Sequence, residues 1–291
     1  DFVSDLFIAS THSYILIFTD RGRMFWLKVY EIPDVSRQGK GKAVVNLVSL
    51  GRGEKIAAFL PVRDFTSGGH VLLATSQGIV KKTKLQAFSN PRAKGIIALS
   101  IRDGDTLIGA ALTSPEDSIL IGTRKGLAIR FRESDVRSMG RTATGVKGVD
   151  LGNGDAAVSL AVVRPGGTIL SVTAHGYGKR TPVDEYRLQG RGGKGLIDIK
   201  TTRRNGPVVG LKSLRGEEQV MLITEKGMII RLSTADISMI SRITQGVRLI
   251  QLEEGDRLVS VARLADREDD EESPGNPAPT GGTPEASKED P

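Results

Sequence analysis

The feature that most constrains this chain is an internal repeat with a step of about fifty residues. A short apolar run, a threonine and a turn glycine recur as ILIFTDRG, LLATSQG, ILIGTRKG, ILSVTAHG and MLITEKG. The turn glycines are Gly22, Gly78, Gly126, Gly176 and Gly227, spaced 56, 48, 50 and 51 residues apart. A half-polar run follows each glycine, and four positions on stands Trp26, Lys82, Arg130, Arg180 or Arg231. Two short runs joined at a glycine read as a β-hairpin, because glycine supplies the positive φ that a tight turn requires. A 3.6-residue period, which would indicate helix, is absent.

Two further elements keep the same step. One is a loop that ends in glycine and enters an apolar strand: RQGKGKAVVNL, PRAKGIIALSI, RTATGVKGVDL, RGGKGLIDI and RITQGVRLIQL, with Gly41, Gly95, Gly145, Gly195 and Gly246 in register. The other begins GE, GD or an equivalent and runs apolar: GEKIAAFLPV, GDTLIGAAL, GDAAVSLAVV, GPVVGLKSL and GDRLVSVARL. Each unit therefore holds four strands. A unit this small cannot bury both of its faces alone, so neighbours must stack and the array must curve or close. The expected fold is all-β and propeller-like, with five to six four-stranded blades. The opening DFVSDLFIAST resembles a GD-type strand. The closing GDRLVSVARL reads as a GD-type strand without its three companions. The expectation is five full units and one orphan strand whose partners lay upstream of Asp1.

Without cysteine, neither disulfides nor thiolate metal sites are available, which suits a reducing cytoplasm. No apolar run approaches the roughly 20 residues of a membrane span. A chain that opens at Asp1 reads as an excised piece of something longer. The formal charge of +7 hides an asymmetry. Residues 265–291 hold nine acidic and two basic side chains, leaving 39 Lys and Arg against 25 Asp and Glu, a net of +14, on residues 1–264. That balance attracts a polyanion, duplex DNA or RNA first. The tail is rich in Pro, Gly, Ser and acid and is expected to be disordered. It serves either as a solubilising segment or as a competitor lying over the basic surface.

Three repeat classes compete at this period. WD40 blades carry Trp-Asp and Gly-His pairs, whereas the one tryptophan here, Trp26, precedes Leu27. Kelch repeats want a Gly-Gly pair beside paired aromatics, and propellers of the regulator-of-chromosome-condensation type want small-residue and Cys or His features. Neither pattern is present. The stretches RGRMFWLKVYEIP, GKAVVNL, GDTLIGAALTSPED, TGVKGVDLGNGD, GYGKRTPVDEY, KGLIDIKTTRRNGPVVG and TQGVRLIQL instead resemble the C-terminal domain of the DNA gyrase A subunit over nearly all of residues 1–264. The resemblance implies a β-pinwheel whose four-stranded blades exchange strands with a neighbour, with duplex DNA running round a basic outer edge.

The most distinctive short motif is QGRGGKG, comprising Gln189, Gly190, Arg191, Gly192, Gly193, Lys194 and Gly195. It resembles the heptapeptide box by which gyrase A subunits differ from topoisomerase IV, with Gly190 where a basic residue is usual. In the family the principal box lies in the first blade, just before the strand that opens this chain, whereas this copy lies in the fourth repeat. Arg191 and Lys194 suit charge-assisted contacts to phosphate, and the glycines let backbone amides approach one closely. The same residues match G-x-G-x-x-G, but LIDIKT, a strand, follows, which argues against a dinucleotide site. Equivalent loops carry Arg37, Lys40 and Lys42, then Arg92 and Lys94, then Arg141 and Lys147, then Arg242 and Arg248. Loops repeated through stacked blades share one rim, so these charges are expected to form a curved track. The hairpin residues Lys81, Lys82, Lys84, Arg130, Arg132, Lys179, Arg180 and Arg231 are either additions to it or ordinary solvated strand residues.

Thirteen aromatic residues, most of them inside apolar runs, offer no stacking platform for single strands, so duplex is the expected ligand. Phosphate contacts alone make binding sequence-tolerant and steeply salt-dependent. His12, His70 and His175 sit at unrelated repeat positions and form no acid/base constellation. Tyr14, Tyr30, Tyr177 and Tyr186 match blade positions, and the family's cleaving tyrosine belongs to another domain. No cofactor is expected. The resemblance implies a wrapping module of a type II topoisomerase, whose partners are duplex DNA, the rest of the dimeric gyrase A protein and the ATP-hydrolysing gyrase B protein. The alternatives are the corresponding C-terminal domain of topoisomerase IV, which bends without wrapping, and a protein-interaction propeller.

Overall fold

The computed structural model describes residues 9–33 and 43–264. They form five antiparallel sheets arranged as propeller blades. Each turn glycine joins two six-residue strands or their near equivalents. In blade 1 these are Tyr14–Thr19 and Arg23–Lys28. In blade 4 they are Thr168–Thr173 and Tyr177–Pro182. The GD-type segment that follows lies against the first hairpin strand: Ile56–Val62, Leu107–Thr113, Ala157–Val163, Val208–Leu214 and Leu258–Leu264 in blades 1 to 5. These five strands are innermost, and successive ones pack against each other from blade 1 to blade 5. Together they line a central channel.

The closing strand Leu258–Leu264 is therefore not an orphan; it pairs with Gln219–Thr224 of its own hairpin. The assignment of strands to units changes for a second reason. The outermost strand of a blade comes from the following repeat: Ile96–Ile97 pairs with blade 1, Val146–Lys147 with blade 2, Leu196–Ile197 with blade 3 and Val247–Arg248 with blade 4. Blade 5 has three strands among the described residues.

Alternation along the hairpin strands sends successive side chains to opposite faces of the sheet, so four of the five cores are shared by two blades. Leu16 and Phe18 of blade 1 meet Val71 and Leu73 of blade 2. Leu72 and Ala74 turn the other way to meet Ile119 and Ile121 of blade 3. Leu170 and Val172 of blade 4 meet Val220 and Leu222 of blade 5 in the same manner. The remaining core is blade 1's own, where Ile15, Ile17, Phe25 and Leu27 pack with Val48 of the same repeat; every other core needs two blades, which is the physical reason the repeats must stack.

Candidate nucleic-acid interface

The borrowed outer strands carry the glycine-ended loops with them, so the loops lie along one edge of the array. The box Gln189–Gly195 thus sits on blade 3, although it belongs to the fourth repeat. Its backbone is anchored there, since Gln189 N donates to Arg130 O at 3.0 Å. A Cβ on Gly195, whose φ is +81°, would lie 2.5 Å from Ala128 O, so only glycine fits.

Successive loops are hydrogen-bonded to one another. Ser100 donates its hydroxyl to Thr142 O at 2.7 Å. Gly192 N donates to Gly148 O at 2.7 Å, and Asp150 N to Gly193 O at 2.9 Å. Lys200 N donates to Thr244 O at 2.8 Å. The side chain of Asn205, fully buried, donates to Lys200 O at 2.9 Å and Gln245 O at 3.0 Å. The edge is one connected ribbon rather than a set of independent loops.

On this ribbon Arg92, Lys94, Lys147, Arg191, Lys194 and Arg248 are exposed, while Arg141 and Arg242 are half-buried. Arg37, Lys40 and Lys42 lie outside the described residues. Arg191 is engaged internally: its guanidinium donates to Asp135 O and to Lys147 O, both at 2.9 Å. Arg242 likewise donates to Ile197 O at 2.9 Å. Lys147 pairs with Asp150 at 2.8 Å. That hydrogen bond, with the positive charges of Lys147 and Lys194, holds the Asp150 carboxyl below the usual carboxylate range. Lys94 and Lys194 are loop lysines whose side chains face outward with no ion pair among the described residues.

The hairpin basics correct the expectation of solvated or rim-facing side chains. Lys84 and Arg132 are exposed, but Lys81, Lys82 and Lys179 are buried. In blades 1 to 4 the residue four places after the turn glycine reaches across to the short 3-10 turn of the next blade. Trp26 Nε1 donates to Phe88 O at 2.7 Å. Lys82 Nζ meets Glu133 Oε2 at 2.6 Å, and Arg130 donates to Val183 O at 3.2 Å. Arg180 Nε donates to Ile237 O at 2.9 Å. These are inter-blade clasps, and an indole N–H performs the task as well as a cation. Arg231 of blade 5 is exposed and donates within its own blade, to Gln219.

One place earlier, Lys81 and Lys179 hold rim loops from beneath. Lys81 Nζ donates to Ala98 O, Gly140 O and Arg141 O. Burial first, and then the charge of Arg141, pushes its ammonium down to about 7. Lys179 Nζ donates to Thr181 Oγ1 at 2.7 Å and Ser241 O at 3.1 Å, with Asp198 at 3.9 Å. Burial lowers Lys179 and raises Asp198, which also accepts the Tyr186 hydroxyl at 2.5 Å. The repeat alignment exposed these positions, but only the packing of a neighbour's loop distinguishes an anchor from a surface lysine.

Of the three histidines, His70 lies beside Glu133, with Nδ1 3.5 Å from Oε1, and His175 contacts the carbonyls of Arg203 and Arg204. No helix among the described residues is long and apolar enough to cross a membrane.

The family model described as DNA gyrase C-terminal domain, beta-propeller, matches residues 13–63, 69–114, 117–164, 167–215 and 218–265, one match per blade. The DNA gyrase A protein of Halalkalibacterium halodurans is 53% identical over 271 residues, covering 93% of this chain and 32% of that protein. Similar coverage recurs, so the chain spans 31–32% of the length of the curated relatives it matches first. A solved DNA gyrase A C-terminal domain superposes with a TM-score of 0.78 at 25% identity, over 88% of this chain and 84% of that one. A solved C-terminal domain of DNA topoisomerase IV gives 0.79 at 28% identity, over 87% and 80%.

Proposed function

The chain belongs to the family of DNA gyrase C-terminal, beta-propeller domains, and from that premise we propose that residues 1–264 bind duplex DNA along the blade edge and wrap it. The observation that carries this reading is the connected ribbon of basic loops, in which Gly192–Gly148, Asp150–Gly193 and Lys200–Thr244 hydrogen bonds hold successive loops in register. A duplex curves only if many weak phosphate contacts act at fixed spacing. Smoothly bending 20–30 base pairs by 40–90° costs roughly 1–6 kcal/mol, which a preformed track offsets and a set of loose loops does not.

In the whole enzyme the wrapped segment would be presented to a strand-passage gate in the rest of the gyrase A protein, with ATP hydrolysis on the gyrase B protein driving negative supercoiling. The domain itself takes no part in the chemistry, and needs neither nucleotide nor metal. Its place is the cytoplasm, where the chromosome is. Residues 265–291, outside the described residues, carry the acid to compete with DNA for the rim.

The test is topological. A nicked plasmid is resealed with the domain bound, and the linking number is read after deproteinisation. A positive shift is expected. Salt-sensitive binding with no shift would replace wrapping by simple bending. No salt-sensitive binding at all would remove the DNA reading.

A further inference from the structure

Blade 4 departs from the repeat at several places that converge on one cleft. From the outer strand to the inner strand the chain takes ten residues in three repeats, 97 to 107, 147 to 157 and 248 to 258, but eleven from 197 to 208. In blades 2, 3 and 5 an aspartate at the end of this turn accepts a hairpin amide: Asp105 from Gln77, Asp155 from Lys125 and Asp256 from Lys226. In blade 4 that place is Gly206, and a Cβ there would meet the His175 ring at 3.1 Å. Where the other blades set a carboxylate against the hairpin, blade 4 has a glycine on which the His175 ring packs. Buried Asn205 ties the lengthened turn down through Thr202 N at 2.7 Å and Gln245 O at 3.0 Å, which fixes Arg204 next to it.

Arg204 is thereby held over the ring of Tyr177, its Cζ 4.9 Å from the centroid, with Arg248 at 5.6 Å. Arg248 is the cross-strand partner of Tyr177, a pairing that in the other blades joins Arg23 to Ile97, Ile79 to Lys147 and Leu127 to Ile197. Both guanidiniums donate to the one Tyr177 hydroxyl, at 3.3 and 3.0 Å, so their donor nitrogens lie at most 6.3 Å apart. Neither forms an ion pair among the described residues. The tyrosine ring is buried at 4% exposure while both arginine side chains are exposed at a cleft of ≈380 Å³. The carboxylate lining that cleft, Asp256, already accepts the amides of Lys226 and Arg257. Two like charges held this close on a neutral hydroxyl, with their remaining N–H groups facing solvent, are arranged for an anion with several acceptor oxygens.

We propose that the Tyr177 cleft seats one phosphodiester group of the duplex backbone between Arg204 and Arg248, giving the rim a fixed contact on blade 4. The proposal rests on the DNA-binding reading above and adds to it a single strong position that pins the path of the duplex. Tyr177 is the positioning residue, because it holds both guanidiniums without touching the phosphate.

The domain is titrated with a long nonspecific duplex across a salt series, as wild type, as Arg204→Ala/Arg248→Ala and as Tyr177→Phe. Losing one phosphate contact lowers the log–log salt slope by about 0.9, equivalent to about 8-fold in affinity at 0.1 M salt. The double variant is expected to show that loss. Tyr177→Phe keeps the buried ring and both charges, so it keeps the slope and binds several-fold more weakly. Adding inorganic phosphate at constant ionic strength is expected to leave wild-type DNA binding unchanged. Displacement by millimolar phosphate that the double variant does not show would overturn the assignment to the DNA backbone in favour of free phosphate. Wild-type slope and affinity in the double variant would overturn the seat while leaving the DNA reading intact. Absence of salt-dependent binding by the wild type would instead remove the reading on which it rests.

Discussion

Replacing Lys82 with Met tests whether the blades are held together by clasps as well as by apolar packing. The Lys82 ammonium lies 2.6 Å from Glu133 Oε2, with side-chain exposures of 8% and 0%. It also reaches Glu133 O at 3.3 Å, while Thr113 Oγ1 donates to Oε1 at 3.2 Å. Methionine keeps the aliphatic stem and removes the charge, which leaves the Glu133 carboxylate buried with only Thr113 and His70 facing it. Breaking one side of a buried pair costs about 3–5 kcal/mol. At about 2–4 °C per kcal/mol for a domain of this size, the melting temperature falls by roughly 10 °C. Lys82→Met/Glu133→Leu replaces the pair with apolar groups and is expected to recover most of the loss. His70 supplies a second readout. Burial first, with Lys82 and Lys84 acting against Glu133, holds its imidazole below the ordinary range. In the single variant the Lys82 contribution vanishes, so the His70 titration moves upward by NMR. A protonated His70 then faces Glu133, and the stability deficit shrinks as pH falls through that titration. Urea melts at pH 5.5 and 8, followed by circular dichroism, measure this. A single variant within 1 kcal/mol of wild type, or a double variant no better than the single, would refute the clasp.

Further outcomes follow from the same junctions. Lys81 is displaced down to about 7 in the fold, so between pH 7 and 9 the unfolded chain binds more protons there and wild-type stability rises relative to Lys81→Met, by roughly 1–2 kcal/mol; an unchanged difference between the two pH values in urea melts would show the ammonium to be freely hydrated. Gly126 and Gly227 share φ +88°, but a Cβ on Gly126 would lie 2.1 Å from Ile199 O, whereas nothing lies within 4 Å of one on Gly227. Gly227→Ala should therefore cost about 1–2 kcal/mol of backbone strain and Gly126→Ala about 2–5 kcal/mol, and equal melting temperatures would contradict the close approach of the neighbouring repeat. On the rim, Lys194→Ala is expected to lower the salt slope of DNA binding by about 0.9. Arg191→Ala instead speeds hydrogen exchange at the Gly192 and Asp150 amides, because it frees the loop from Asp135 and Lys147; protection unchanged from wild type would mean the stitch does not depend on Arg191.

How much was legible in the sequence varies with the range of the interaction. Turn glycines, alternating apolar runs and a nearly constant step are local, and they determined the hairpins, the inner strands and the need to stack, since no fifty-residue unit can cover both faces of its own sheet. They also singled out the position of Trp26, Lys82, Arg130 and Arg180, without saying what it does. Ownership of strands is less legible at the last repeat: a GD-type strand taken to open a unit leaves Leu258–Leu264 without companions, whereas it pairs back with the hairpin before it. The box at Gln189–Gly195 was visible as a motif, yet Arg191 faces backbone carbonyls of the preceding repeat rather than solvent alone. Tyr177 and Arg204 were assigned no role in binding, since 27 residues of chain separate an aromatic from a cation that stacks on it.

The sequence by itself thus determined that the chain is a stack of four-stranded units with positive charge repeated along one edge, because periodicity and composition are written in neighbouring residues. Only the tertiary structure decided which of those charges face outward. Strand exchange lays the loops of repeats two to five on the blade before, and that packing turns Lys81 and Lys179 into buried anchors and Lys82, Arg130 and Arg180 into clasps, while Arg204 and Arg248 are left exposed over Tyr177 as the proposed seat for an anion.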